Sequence, residues 1–222
     1  MLGANEAFIS IRLFGSHVRG DADASSDIDV LVIADKKLSA EEACALGITP
    51  GADISIYSAD RIRSMFMSGH LFAWHLYCES KPYIQGSKDP FFEALGTPAP
   101  YTEGVEDSKM FLAILVEAID AIRDKSNYVF EAGVIHLAMR NIGIALSYHL
   151  TGRPDFSRYA ALNLPKEYSP KLSKSSYDRL VQCRYISKRG YRAVPPPHYA
   201  IEELVEYVEQ WAIGLVRGGF NE

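Results

Sequence analysis

Residues 13–34 read LFGSHVRGDADASSDIDVLVIA, and this stretch decides the fold. Leu13 and Phe14 close an alternating run rich in β-formers, Ala7 to Phe14, which predicts a strand stopped by Gly15. Ser16 to Gly20 has room for a single helical turn. Asp27 to Ala34 opens with alternating acids and then becomes continuously apolar, as a central strand does when both faces are covered and only its end meets solvent. The order is therefore strand, glycine turn, short helix, loop, strand. Alternation predicts Asp27 and Asp29 on one face of the second strand, about 7 Å apart, with Ile28 on the other.

Carboxylates converging at a strand rim suit Mg²⁺, a hard ion that prefers oxygen ligands and leaves places for water and phosphate. Asp53 heads a third predicted strand, Ala52 to Tyr57, after the Pro50-Gly51 turn, and adds a third acid if that strand lies beside the second. On the other side of the turn, Gly15 lets the backbone approach a ligand closely. The helix that starts at Ser16 offers unbonded amides and a hydroxyl to an anion. Arg19 follows one helical turn later, where it either touches phosphate or pairs internally with Asp21, Asp23 or a site carboxylate. A phosphate cradle facing a metal-binding acid cluster is the arrangement needed to transfer a phosphorus centre.

Gly15-Ser16, ten residues, then Asp27-x-Asp29 resembles the signature of the polymerase-beta-like nucleotidyltransferase superfamily. The form Gly-Ser-x-x-Arg-Gly ending in Ser-Asp-x-Asp is most similar to the minimal nucleotidyltransferases and the aminoglycoside nucleotidyltransferases. The resemblance implies a small mixed β-sheet domain with flanking helices. It also implies that Gly15 and Ser16 contact the triphosphate, that Asp27, Asp29 and Asp53 bind two Mg²⁺ ions (Mn²⁺ can substitute), and that Asp53 helps deprotonate an acceptor hydroxyl. The reaction would pass a nucleoside monophosphate from a nucleoside triphosphate, ATP first among them, to a hydroxyl of a small molecule or a protein, releasing pyrophosphate. An antitoxin-like protein that holds a partner on the same fold is the alternative, and a homodimer is compatible with either.

Working outward, Asp60 through Met67 and Phe72 through Cys78 read as helices, with Ser58 or Asp60 capping the first. Phe72, Trp74 and Tyr77 are expected in the core, and His17, His70 and His75 lack ligand spacing. Prolines and glycines between Gly96 and Gly104 end the first part, which places a catalytic domain at 1–98 and a helical bundle at 99–222. Glu106 to Asp124, Tyr128 to Leu150, Ser173 to Lys188 and Tyr199 to Val216 each carry apolar residues at helical spacing. The expected fold class is α+β.

The formal net charge is −5, and the excess acid lies in residues 1–98, where thirteen Asp or Glu outnumber eight Lys or Arg. Lys166 to Arg192 holds eight basic residues against two acidic ones, and Arg184 and Lys188, four apart on one helix face, are candidate triphosphate contacts. The acidic whole argues against a protein that tracks long nucleic acid. Arg192 to His198 has the spacing of a helical ribonuclease signature, but Pro195-Pro196-Pro197 forbids the helix it requires. Three scattered cysteines, Cys44, Cys78 and Cys183, point to a reducing cytoplasm rather than a disulfide framework. The apolar run from Phe111 to Val116 is stopped by Glu117, so no membrane span or leader is expected.

Overall fold

The computed structural model describes residues 8–24, 26–34, 39–124, 127–189 and 192–218. The chain divides into two compact units, Met1–Thr102 and Glu103–Glu222. The class is α+β, with a mixed sheet and helices in the first unit and helices alone in the second.

Four strands, β1 (Phe8–Phe14), β2 (Asp29–Ala34), β3 (Asp53–Tyr57) and β4 (Ser80–Pro82), form one sheet in the order β3-β2-β1-β4. β1 runs antiparallel to both β2 and β4, whereas β2 and β3 are parallel. β2 is central because its side chains demand cover on both faces. Val30, Val32 and Ala34 pack with Ile48 on one side, and Leu31 and Ile33 pack against Ile62, Phe66, Ala73 and Leu76 on the other. The strand starts at Asp29, two residues later than its alternation suggests. Asp27 and Ile28 stand ahead of it, and the Ile28 carbonyl reaches the sheet, where it accepts from the Asp53 amide at 2.9 Å.

The helices of this unit are α1 (Ser16–Arg19), α2 (Ala40–Ala45), α3 (Ala59–Met67), α4 (Leu71–Glu79) and α5 (Pro90–Leu95). Ser58 caps α3, accepting from the Arg61 amide, and the His70 ring caps α4 through Nδ1, 3.1 Å from the Phe72 amide. Phe72 and Trp74 belong to the packed interior, but Tyr77 is 48% exposed and takes a hydrogen bond from Thr97. α2 announces itself only through the capping box Ser39–Glu42, and β4 and α5 are too short for periodicity to reveal. Asp89 holds α5 in place. One carboxylate oxygen caps the Phe92 amide and the other accepts from Arg12 and Ser10, at 2.7 and 2.6 Å, all three side chains being buried. Residues beyond Gly96 remain tied to this unit, since the Ala99 amide donates to the Phe66 carbonyl and the Trp74 indole donates to Ala99.

The second unit consists of α6 (Gly104–Arg123), α7 (Tyr128–Thr151), α8 (Lys174–Arg189) and α9 (His198–Gly218). α7 packs against the other three. Among the described residues it is the one helix long and apolar enough to cross a membrane, at a mean hydropathy of 1.3. Its apolar surface is spent inside the unit: Ile135, Met139 and Ile142 are fully buried against Leu115, Ile119, Tyr177 and Val208. Gly143 lets the 160–161 backbone come closer than any side chain would permit.

Candidate active site

Gly15 follows the last residue of β1 with φ 74° and ψ −146°, a conformation that side-chain-bearing residues avoid. It must adopt this geometry because the chain turns there from strand straight into α1. The Val18 and Arg19 amides both return to the Gly15 carbonyl, at 3.0 and 3.1 Å. The Ser16 and His17 amides precede the first intrahelical bond and so take no part in it. Ser16 is half-buried and His17 exposed.

The strand register assembles the acids. Asp29 stands opposite Phe14 on one side and beside Asp53 on the other, so Asp53, Asp29, Phe14 and Ser80 form one rung across all four strands at the end of the sheet. Neighbours on a parallel rung project to the same face about 4.8 Å apart. Asp29 is half-buried and Asp53 exposed. The Asp29 carboxylate lies directly over the glycine turn, with Oδ2 only 2.6 Å from where a Cβ on Gly15 would stand. Two of the three predicted acids thus meet on one rung next to Gly15. Asp27 is a half-buried loop residue two positions before the strand rather than part of its pleat.

Among the described residues no group of three or more His, Cys, Asp or Glu is gathered tightly enough to hold a metal ion. The donor chemistry of the rung is nevertheless that of a hard cation: carboxylate oxygens from Asp29 and Asp53, with Asp27 and the Ser16 hydroxyl nearby in sequence. Those residues fit Mg²⁺ in type.

Arg19 makes the internal pair. Its guanidinium contacts Asp21 at 3.2 Å and the carboxylate of Glu79. Burial lowers the Arg19 pKa, but the two carboxylates more than offset this and hold it above its ordinary value. Glu79 is itself 9% exposed, lies 3.1 Å from His75 Nε2, and accepts the Gly15 amide on its backbone carbonyl at 3.1 Å. Sequence reasoning passes over Glu79. The only local signal is its i, i+4 spacing from His75, and the link to Gly15 and Arg19 is made by folding.

Arg184 and Lys188 lie on α8 in the second unit. Arg184 is half-buried, its backbone close against Gly133 of α7, and Lys188 is exposed. The same unit buries His136, whose pKa falls to about 3 because burial, and then the Arg140 charge, disfavours the imidazolium. Burial also raises the Cys183 thiol to about 11, which leaves it unreactive.

Residues 5–77 match the family model described as a nucleotidyltransferase domain. No curated protein matches the chain. Among solved structures, the chain is similar at 13% identity and a TM-score of 0.45 to spectinomycin adenyltransferase AAD(9) from Enterococcus faecialis, determined with ATP and spectinomycin. The match covers 94% of this chain and 93% of that one.

Proposed function

We propose that the protein, whose residues 5–77 match the nucleotidyltransferase-domain family model, transfers a nucleoside monophosphate from a nucleoside triphosphate, ATP, to a hydroxyl group of a small molecule or protein. The observation that carries this reading is the rung that sets Asp29 and Asp53 side by side against the Gly15 turn. The Gly15-Ser16 turn receives the triphosphate, the missing Cβ of Gly15 leaving room for the Asp29 carboxylate and the first-turn amides offering donors to the phosphate oxygens. Asp53, exposed at the rim, accepts the proton of the acceptor hydroxyl. The acceptor oxygen bonds to the α-phosphorus, the bond from that phosphorus to the bridging oxygen of the β-phosphate breaks, and pyrophosphate leaves. Asp29 and Asp53, joined by Asp27 from the preceding loop, are the residues that would hold Mg²⁺, which when bound would neutralise phosphate charge and lower the pKa of the attacking hydroxyl. Arg184 and Lys188 are the proposed additional contacts for the triphosphate.

The test is incubation of the protein with each α-labelled nucleoside triphosphate and Mg²⁺, against a panel of polyhydroxylated small molecules and a panel of proteins. Label should move to one acceptor class from ATP, and Asp29→Ala or Asp53→Ala should abolish the transfer with an unchanged circular dichroism spectrum. Stoichiometric co-purification with another protein, with no label transferred to any acceptor, would favour the partner-binding alternative.

A further inference from the structure

α1 is a single turn, too short to hold its own direction in water. No side chain caps its start. Both of its ends are instead gripped by one residue distant in sequence. The backbone carbonyl of Glu79 accepts the Gly15 amide at the entrance of α1, and its carboxylate pairs with Arg19 at the exit. Glu79 ends α4 and the next residue, Ser80, opens β4 opposite Phe14, so the grip is anchored in the sheet. The carboxylate is buried and lies 3.1 Å from Nε2 of His75, one turn earlier on α4, whose ring also stacks edge-on against Phe14 at 5.5 Å. A solvated surface pair would leave α1 free to pivot. A buried residue that holds Gly15 by its backbone and Arg19 by its carboxylate does not.

We infer that Glu79 is a positioning residue for nucleotide binding: by clamping Gly15 and Arg19 together it sets the angle at which the Ser16 and His17 amides face the triphosphate and keeps Gly15 beneath Asp29. The inference rests on the transferase reading of the site. It assigns a role to a carboxylate outside the three rim acids, acting through Arg19 and not on the reacting atoms.

Glu79→Gln preserves size and the backbone carbonyl but removes the charge from the Arg19 clamp. Arg19→Gln cuts the same link from its more exposed end. Triphosphate affinity in the presence of Mg²⁺ is read by calorimetry, and KM for nucleotide and acceptor is read in the transfer assay. Each single variant should weaken triphosphate binding about 10- to 100-fold, the scale of one misdirected hydrogen bond to a charged group. KM for the acceptor should not move, whereas general loosening of the fold would shift both. The double variant should be little worse than either single one, because the two changes break one link. Additive losses, or wild-type triphosphate affinity in Glu79→Gln, would overturn the assignment. If Glu79→Gln fails to fold, Arg19→Gln decides alone: normal triphosphate affinity there refutes the clamp, and a selective loss supports it. A wild-type protein that binds no triphosphate would instead overturn the transferase reading, a failure recognised before any variant is compared.

Discussion

Replacing Gly15 with alanine tests the geometry of the site at its tightest point. The substitution imposes two separable costs. The backbone at φ 74°, ψ −146° is nearly exclusive to glycine, and holding alanine there costs about 1–3 kcal/mol of stability. The new methyl would also stand 2.6 Å from Asp29 Oδ2, so the carboxylate must retreat by about 1 Å to reach ordinary van der Waals separation. A displacement of that size at a reacting centre is worth about 100-fold in rate, or about 2.7 kcal/mol of transition-state stabilisation. Gly20, at the other end of α1, is the control. Its φ of 83° also favours glycine, but an added Cβ there meets nothing within 4 Å. Gly20→Ala should therefore lose about 1 kcal/mol of stability and keep its turnover. Denaturant unfolding and nucleotidyl transfer, measured on both variants, separate strain from displacement. Wild-type turnover in a folded Gly15→Ala protein, or equal turnover losses in the two variants, would refute the placement of Asp29 over the turn as the feature that matters.

Other expectations follow from buried groups and from the basic helix. Asp89→Ala removes the α5 cap and strands the buried Arg12 guanidinium, so unfolding free energy should fall by about 3–5 kcal/mol; a loss below about 1 kcal/mol in a denaturant titration would show that the network is not cooperative. His136 is buried neutral with a pKa of about 3, and the unfolded chain takes up a proton near 6.5. Its stabilising contribution is then complete above pH 6.5 and is lost as the pH falls from there toward 3, by about 2 kcal/mol at pH 5; His136→Phe should flatten that share of the acid slope, and an unchanged slope would count against it. Lys188→Glu, on an exposed position of α8, should lower triphosphate affinity by more than the fivefold that an ordinary surface charge accounts for, at about 1 kcal/mol, and calorimetry showing no change would leave the patch a solvated face.

The sequence by itself determined whatever depends on neighbours a few residues apart. Alternation marked β1 and the continuous apolar run marked β2, because each side chain's face follows from its position in the chain. Apolar spacing marked the four long helices of the second unit to within two residues. Gly15-Ser16 and the Asp-x-Asp pair were legible because backbone freedom, a hydroxyl and paired carboxylates are local chemistry. Only the tertiary structure decided how those pieces meet. Nothing in residues 27–53 fixes that Asp53 shares a rung with Asp29; the parallel register does, through a crossover whose hydrogen bonds start at the Ile28 carbonyl. That same register leaves Asp27 ahead of the strand, where the alternating pattern alone had placed it inside. β4 and α5 are three and six residues long, below the length at which a period can repeat, and they exist because β1 has a free edge to pair and Arg12 needs Asp89. Glu79 is the extreme case. Its grip on both ends of α1 joins residues about sixty positions apart, and it arises only once β4 has paired with β1, because a contact between distant segments has no period for a sequence to display.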